Sequence, residues 1–167
     1  GESELTGCRN NGSVSVSNEN AGGMIGEATV NVKIKRCTNN APVGSGNMTA
    51  AGMVGCLRKG ADIISCINTE KGVISAGQYA AGMIGWIPQK ILVHVPKSNI
   101  KNCANSGEIK ARVSDCAGIA VNLDNDKMTV VNCFNGTTKI ANPASGSIEI
   151  AEGDYVIDSV LDEKYSV

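Results

Sequence analysis

Aromatic residues are almost missing from this chain. They make up 3% of 167 residues: one tryptophan, one phenylalanine and three tyrosines. A core of large rings is thereby excluded, and aliphatics, alanine and thiols must fill the interior. Histidine occurs once, as His94, and no Cys-x-x-Cys pair occurs, so the usual zinc ligand sets are lacking. No metal and no cofactor is expected. Charge of one sign is lacking too. Lys and Arg number 15, Asp and Glu 16, and the net charge is −1. Without a basic patch interleaved with aromatics, no nucleic-acid partner is expected. No apolar run reaches about 18 residues, so no transmembrane helix is expected. A sustained 3.6-residue period is also absent, and glycines fall inside the apolar runs, where each would cost a helix about 1 kcal/mol relative to alanine.

What the chain does have is repetition. Cys8, Cys37, Cys66, Cys103 and Cys133 mark five copies, at steps of 29, 29, 37 and 30 residues. A second marker keeps step with them. Gly22–Gly26 reads GGMIG, Ala51–Gly55 AGMVG and Ala81–Gly85 AGMIG, with a worn copy, AGIAV, at Ala117–Val121. From each cysteine to the next Met or Ile marker is 16, 16, 17 and 16 residues. Two markers in phase establish internal duplication.

Each copy has a grammar. An aliphatic residue stands three before the cysteine (Ile34, Ile63, Ile100, Val130), and an asparagine two after (Asn10, Asn39, Asn68, Asn105, Asn135). Gly12 and Gly107 follow two further on, with Gly72 displaced by two. Val14, Val43 and Ile109, and less regularly Ile74 and Ile140, close the segment. Steps of two place residues on one face of a strand. Val30, Val32 and Ile34 also alternate. The step of three from isoleucine to cysteine breaks the alternation and predicts a corner. Each copy reads as about three short strands, and copies of this size must stack to bury a face. The expected fold is all-β: a right-handed parallel β-helix, or β-solenoid, of about five coils. At about 4.8 Å per coil the stack would be about 24 Å tall. Residues 1–146 form the solenoid, and 147–167 a C-terminal cap or a linker, with Ile148, Ile150, Tyr155 and Ile157 alternating as short strands.

The repeated cysteines are expected to form a buried ladder of free thiols. Stacked parallel side chains keep their β-carbons near the coil spacing of about 4.8 Å, wider than the roughly 3.8 Å typical of a disulfide. Cys56 and Cys116 stand outside that ladder. The repeated asparagines are expected to stack as an amide ladder at a turn.

Gly23-Met24-Ile25-Gly26, Gly52-Met53-Val54-Gly55 and Gly82-Met83-Ile84-Gly85 resemble the GLUG motif, with methionine in the leucine place. The Ile-x-x-Cys-x-Asn-x-Gly-x-Val segment is similar to that family as well, and the likeness covers about residues 8–140. Gly118–Val121 departs from it, having lost the final glycine. GLUG repeats occur in bacterial surface and secreted proteins, including adhesin-like proteins and immunoglobulin-cleaving proteases, where they lie outside the catalytic part. The resemblance implies an extracellular or cell-surface bacterial setting and carries over no active-site residue.

Function on a solenoid tends to sit where a repeat carries an insertion. Met24 to Cys37 and Met53 to Cys66 are both 13 residues, but Met83 to Cys103 is 20. The extra stretch holds the only tryptophan and the only histidine. Trp86, Lys90, His94 and Lys97 are therefore the candidate ligand-binding residues, for host or cell-wall glycans or matrix proteins. A longer surface hairpin with Ile91, Val93 and Val95 packed inward is the plainer alternative. Asp124, Asn125, Asp126 and Lys127 look like a fragment of a calcium loop without the EF-hand spacing, and read as a solvated turn. Asp62, Glu70, Glu108 and Asp115 are scattered, with no paired-carboxylate motif. The expected function is a non-catalytic structural or adhesion repeat module. A carbohydrate-binding module and a polysaccharide-degrading lyase or glycosidase are the alternatives.

Overall fold

The computed structural model describes residues 1–88, 97–121, 128–136, 140–142 and 146–147. Among them all regular structure is strand, and no helix is long and apolar enough to cross a membrane. The chain is a β-solenoid in which five ladders of short parallel strands run along the stack. The first ladder stacks Glu2–Thr6, Asn31–Lys35, Ala61–Ile64, Ser98–Lys101 and Met128–Val131. The second stacks the dipeptides Arg9–Asn10, Thr38–Asn39, Ile67–Asn68, Ala104–Asn105 and Phe134–Asn135. The third stacks Val14–Val16, Val43–Ser45, Ile74–Ala76, Ile109–Ala111 and Ile140–Asn142, and ends in Gly146–Ser147, which pairs antiparallel. The fourth stacks Ala21–Gly22, Ala50–Ala51, Ala80–Ala81 and Cys116–Ala117. The fifth stacks Ile25–Ala28, Val54–Leu57 and Ile84–Trp86.

The described coils make about four turns with a partial fifth, slightly fewer than the five coils expected. Each complete coil has five short strands, not three. The extra ones are two-residue segments too short to show a period of two in sequence. The register is the repeat itself: Ile34 lies beside Ile63, and Ile63 beside Ile100. Ile74 and Ile140, irregular in spacing, fall in line with Val43 and Ile109. Glu70 and Lys71, both exposed, absorb the displacement of Gly72, whose N–H closes a turn on the Thr69 carbonyl at 2.8 Å. Val30 does not share the alternation of Val32 and Ile34. It lies before the strand and is 40% exposed.

The step of three from isoleucine to cysteine is indeed a corner. Arg36, Ser65, Asn102 and Asn132, each directly before a ladder cysteine, hold φ of 52–54°, and Gly7 holds 68°. One left-handed residue turns the chain so that the side chain two before it and the cysteine after it both face inward. Ile34, Cys37, Ile63, Cys66, Ile100 and Cys103 are all buried. The left-handed conformation costs a residue bearing a Cβ roughly 1–2 kcal/mol, least for asparagine.

Past the corner, the asparagines form one continuous amide ladder. Asn10 Nδ2 donates to Asn39 Oδ1 at 2.8 Å; Asn39 to Asn68, Asn68 to Asn105 and Asn105 to Asn135 each follow at 2.7 Å. The second amide hydrogen goes to backbone, to the carbonyls of Ala41 (2.9 Å), Gly72 (2.8 Å) and Gly107 (3.2 Å). Asn39, Asn68 and Asn105 have no solvent exposure, so these bonds satisfy groups that would otherwise be buried alone.

The ladder also explains the first glycine of the second marker. A Cβ on Gly52 would lie 2.3 Å from the Gly82 carbonyl oxygen and 2.9 Å from the Asn68 side chain. Gly23, Gly82 and Gly118 meet Asn39, Asn105 and Asn135 in the same way. The amide column fills the space a side chain would need. At Val121, in the place of the marker's final glycine, the fifth ladder shrinks to a single bridge between Ile84 and Ala120. The corresponding glycines, Gly55 and Gly85, press on carbonyls of the coil before them at 2.5–2.7 Å from a notional Cβ.

Four substitutions test this account. Asn68→Ala strips one bond from each neighbouring amide and should cost about 2–4 kcal/mol in urea unfolding. Gly52→Ala should cost about 2–3 kcal/mol by overpacking. Gly12→Ala, with nothing within 4 Å of its notional Cβ, should change stability by less than about 0.5 kcal/mol. At the corner, Ser65→Gly should stabilise by up to about 1 kcal/mol, read as a higher urea midpoint.

Candidate functional site

The inserted stretch leaves the coil where the spacing predicts. Leu57 and Ala61 are separated by three residues; the corresponding Ile87 and Ser98 are separated by ten, while the strands on either side stay in register. Residues 89–96, including Lys90, His94, Ile91, Val93 and Val95, lie outside the described residues. So do Asp124–Lys127, and of the segment 147–167 all but Ser147.

Trp86 and Lys97 are described, and each has its own surroundings. Trp86 ends the third strand of the fifth ladder, in register with Cys56, which is in register with Glu27. Its ring stacks on Tyr79 with centroids 6.0 Å apart and planes within 9°. Both rings are half-buried, a flat stack that buries apolar area while part of each ring meets water. Lys97 is exposed and lines a small cavity of about 80 Å³ with Glu2, Asn31, Gly60 and Asp62 at the start of the first ladder.

Tyr79 was not among the residues the sequence singled out, yet a signal for it exists. Asn20, Thr49, Tyr79 and Asp115 each stand directly before a strand of the fourth ladder. Seven residues after the first three come Glu27, Cys56 and Trp86. The two columns touch: Asn20 Nδ2 donates to Glu27 Oε2 at 2.9 Å, and Thr49 Oγ1 to the Gly55 carbonyl at 3.0 Å. Arg58 beside Glu27 holds that carboxyl below its usual range, and Asn20 adds to the effect.

A second surface feature lies on the third ladder. Ser15, Gly44 and Ser75 floor a shallow groove of about 500 Å³, walled by Asn18, Asn47 and Arg112. Arg112 Nη2 donates to the Gly46 carbonyl at 3.1 Å and to Asn47 Oδ1 at 3.0 Å, reaching across coils.

The acids are spread around the coil. Asp62 accepts from Asn99 Nδ2 at 2.7 Å on the first ladder, and Glu108 pairs with Lys110 at 2.8 Å beside the third. Glu70 sits on an exposed turn, and Asp115 is exposed before the fourth ladder. Among the described residues no three His, Cys, Asp or Glu side chains form a group able to hold a metal ion.

All seven cysteines are free, and six are buried; Cys8 is half-buried. The ladder thiols do more than fill space. Each inner one donates to two carbonyls, the residue two before it and the isoleucine or leucine of the preceding coil. For Cys66 these are Ile64 and Ile34, both at 3.4 Å; for Cys103 they are Lys101 at 3.2 Å and Ile63 at 3.5 Å. Burial pushes Cys37 up and Cys103 well up from the ordinary thiol value, Cys56 up to about 11 and Cys116 up to about 12.

No family model, no curated protein and no solved structure matches the chain.

Cys56 and Cys116 set an alkaline limit. A thiol whose value is raised in the folded state favours folding fully below the ordinary thiol value of 9.0 and loses that contribution as pH climbs to about 11 for Cys56 and about 12 for Cys116. Unfolding free energy should therefore fall from pH 9 to 11, and the slope should shrink in the Cys56→Ala and Cys116→Ala double variant.

Proposed function

We propose that the chain is a non-catalytic structural and adhesion module of a bacterial cell-surface or secreted protein. The observation that carries this reading is the use of the repeat's polar residues. Asn39, Asn68 and Asn105 spend both amide hydrogens on each other and on backbone, fully out of water. The ladder thiols are bonded to carbonyls in the same fashion. The repeated chemistry builds a rigid rod and leaves the outer faces to vary. The first ladder's outer face carries cross-strand ion pairs, Lys33 with Glu2 at 3.0 Å and Lys35 with Glu4 at 3.2 Å, a solvated surface that favours register over contact. The resemblance of the Gly-Met-x-Gly markers to GLUG repeats supports the bacterial extracellular setting, and glycans or matrix proteins are the partners that setting offers.

The Tyr79–Trp86 stack favours a second reading, a carbohydrate-binding module. Flat, half-exposed rings match the apolar faces of sugar rings, and Trp86 directly precedes in sequence the inserted segment that carries Lys90, His94 and Lys97. A polysaccharide-degrading enzyme remains a reading by fold analogy alone.

The test is a panel of glycans and matrix proteins presented to the purified chain, scored for retention and for sugar release. The structural reading expects no release. Retention that Trp86→Ala reduces at least about tenfold, the loss of roughly 1.4 kcal/mol, would make the module a carbohydrate binder. Sugar release that survives repurification would overturn both readings.

A further inference from the structure

The first coil leaves the N-terminal face of the stack partly open. In the first coil Leu5, Cys8, Val14, Val16, Met24 and Ile25 are only half-buried. Their counterparts one coil on, Ile34, Cys37, Val43, Ser45, Met53 and Val54, are buried. These core columns are thus partly open on the N-terminal face, as Val130 and Phe134 are in the last described coil. At the other end the third ladder is closed by an antiparallel strand, with Ala141 beside Ser147 and Asn142 beside Gly146. That strand runs against the coil direction and gives a parallel coil no matching edge there.

The N-terminal face has a hydrogen-bond polarity. Every amide in the asparagine ladder donates toward the C-terminal end and accepts from the N-terminal side. Asn10 is the first rung. Its Nδ2 is committed to Asn39, and its Oδ1 takes a 3.2 Å bond from the Gly12 N–H in the place where later rungs receive an amide. The backbone repeats the pattern. Thr38 N donates to the Cys8 carbonyl at 2.9 Å and Asn40 N to the Asn10 carbonyl at 2.8 Å. By the same alternation Arg9 and Asn11 turn their N–H groups toward the open end. The face therefore asks for an amide donor above Asn10, for carbonyl acceptors above Arg9 and Asn11, and for aliphatic side chains over Leu5 and Met24.

We propose that this face is a docking surface for one further coil of the same repeat, stacked in the same direction. Such a coil presents an asparagine Nδ2 to Asn10 and carbonyls to Arg9 and Asn11. A second copy docked head to head would instead set Asn10 Oδ1 against Asn10 Oδ1, acceptor on acceptor, and run its strands the wrong way. The outer surface fits as well: a coil like the second brings Lys33 and Lys35 equivalents over the acidic rung of Glu2 and Glu4, the pairing those residues already make on their other side.

Cys8 is the reporter, because it is the one cysteine of seven that is not buried. The experiment places a copy of residues 31–58 ahead of Gly1 in the full chain and follows thiol labelling and thermal unfolding. The parent chain should label at Cys8 alone in the native state. The extended chain should label there about tenfold more slowly and unfold about 3 °C or more higher. Asn39→Ala within the added copy should give back part of both gains, which general shielding by extra chain would not. An extended protein that folds but shows neither gain would overturn the proposal. So would sedimentation of the parent as a dimer with Cys8 already shielded, the head-to-head case. Should the extended chain fail to fold, amide exchange in the parent decides: Arg9 and Asn11 must exchange far faster than Thr38 and Asn40, and equal protection would overturn the docking surface.

Discussion

The buried amide ladder is the interaction on which the rest of this structure depends. An asparagine taken out of water must have its amide donors and acceptor satisfied, or it costs more than most single contacts return. Here the only partners within reach are the asparagine of the next coil and carbonyls of its own. That requirement fixes coil height, because amide must meet amide at 2.7–2.8 Å. It fixes coil phase, because a slip of one residue would put the amide outside and a neighbour inside. It also fixes glycine at Gly23, Gly52, Gly82 and Gly118, where the opposite wall of the coil closes on the amides. Hydrophobic burial supplies the bulk of the driving force, but it is tolerant of slippage in a way the amides are not.

The other columns answer to the same geometry. The left-handed corner before each cysteine lets an isoleucine and a thiol face the core within four residues. The thiol then donates to carbonyls at that corner, where the ladder direction changes. Cysteine suits the position because it combines small apolar volume with a weak donor. Small side chains line the fourth ladder, alanine throughout but for Gly22 and Cys116. The result is a rod of aliphatic, thiol and amide columns with hardly a ring inside, which is what a composition with 3% aromatics permits.

Variation is confined to places that the columns do not reach. The insertion between Ile87 and Ser98 leaves both flanking ladders in register, so the rod bears it at a corner. Trp86 stands at the edge of that insertion with Tyr79 against it. A rod of this kind holds such a patch at a fixed height and bearing, which is the property an adhesion or display module needs. The groove beside Arg112 and the cross-strand ion pairs of the first ladder show the same division between an invariant interior and a variable exterior.

The solenoid, the coil boundaries, the amide ladder and the buried thiols were legible in the order of residues, because each repeats at a fixed interval and a repeat in space follows a repeat in sequence. The corner too was visible, as a step of three in a pattern of twos, although Arg36 and Ser65 gave no hint that they would be left-handed. Other features were decided by the tertiary structure alone. Five strands per coil replaced three because two-residue strands exist only through their neighbours above and below. Tyr79 became the partner of Trp86 because a turn folds the fourth ladder back against the fifth; the seven-residue spacing of the two columns stands in the sequence, but the contact exists only once that turn closes. The partial exposure of the first coil is likewise invisible in a sequence whose copies look alike: exposure belongs to position in the stack, and position exists only once the coils have stacked.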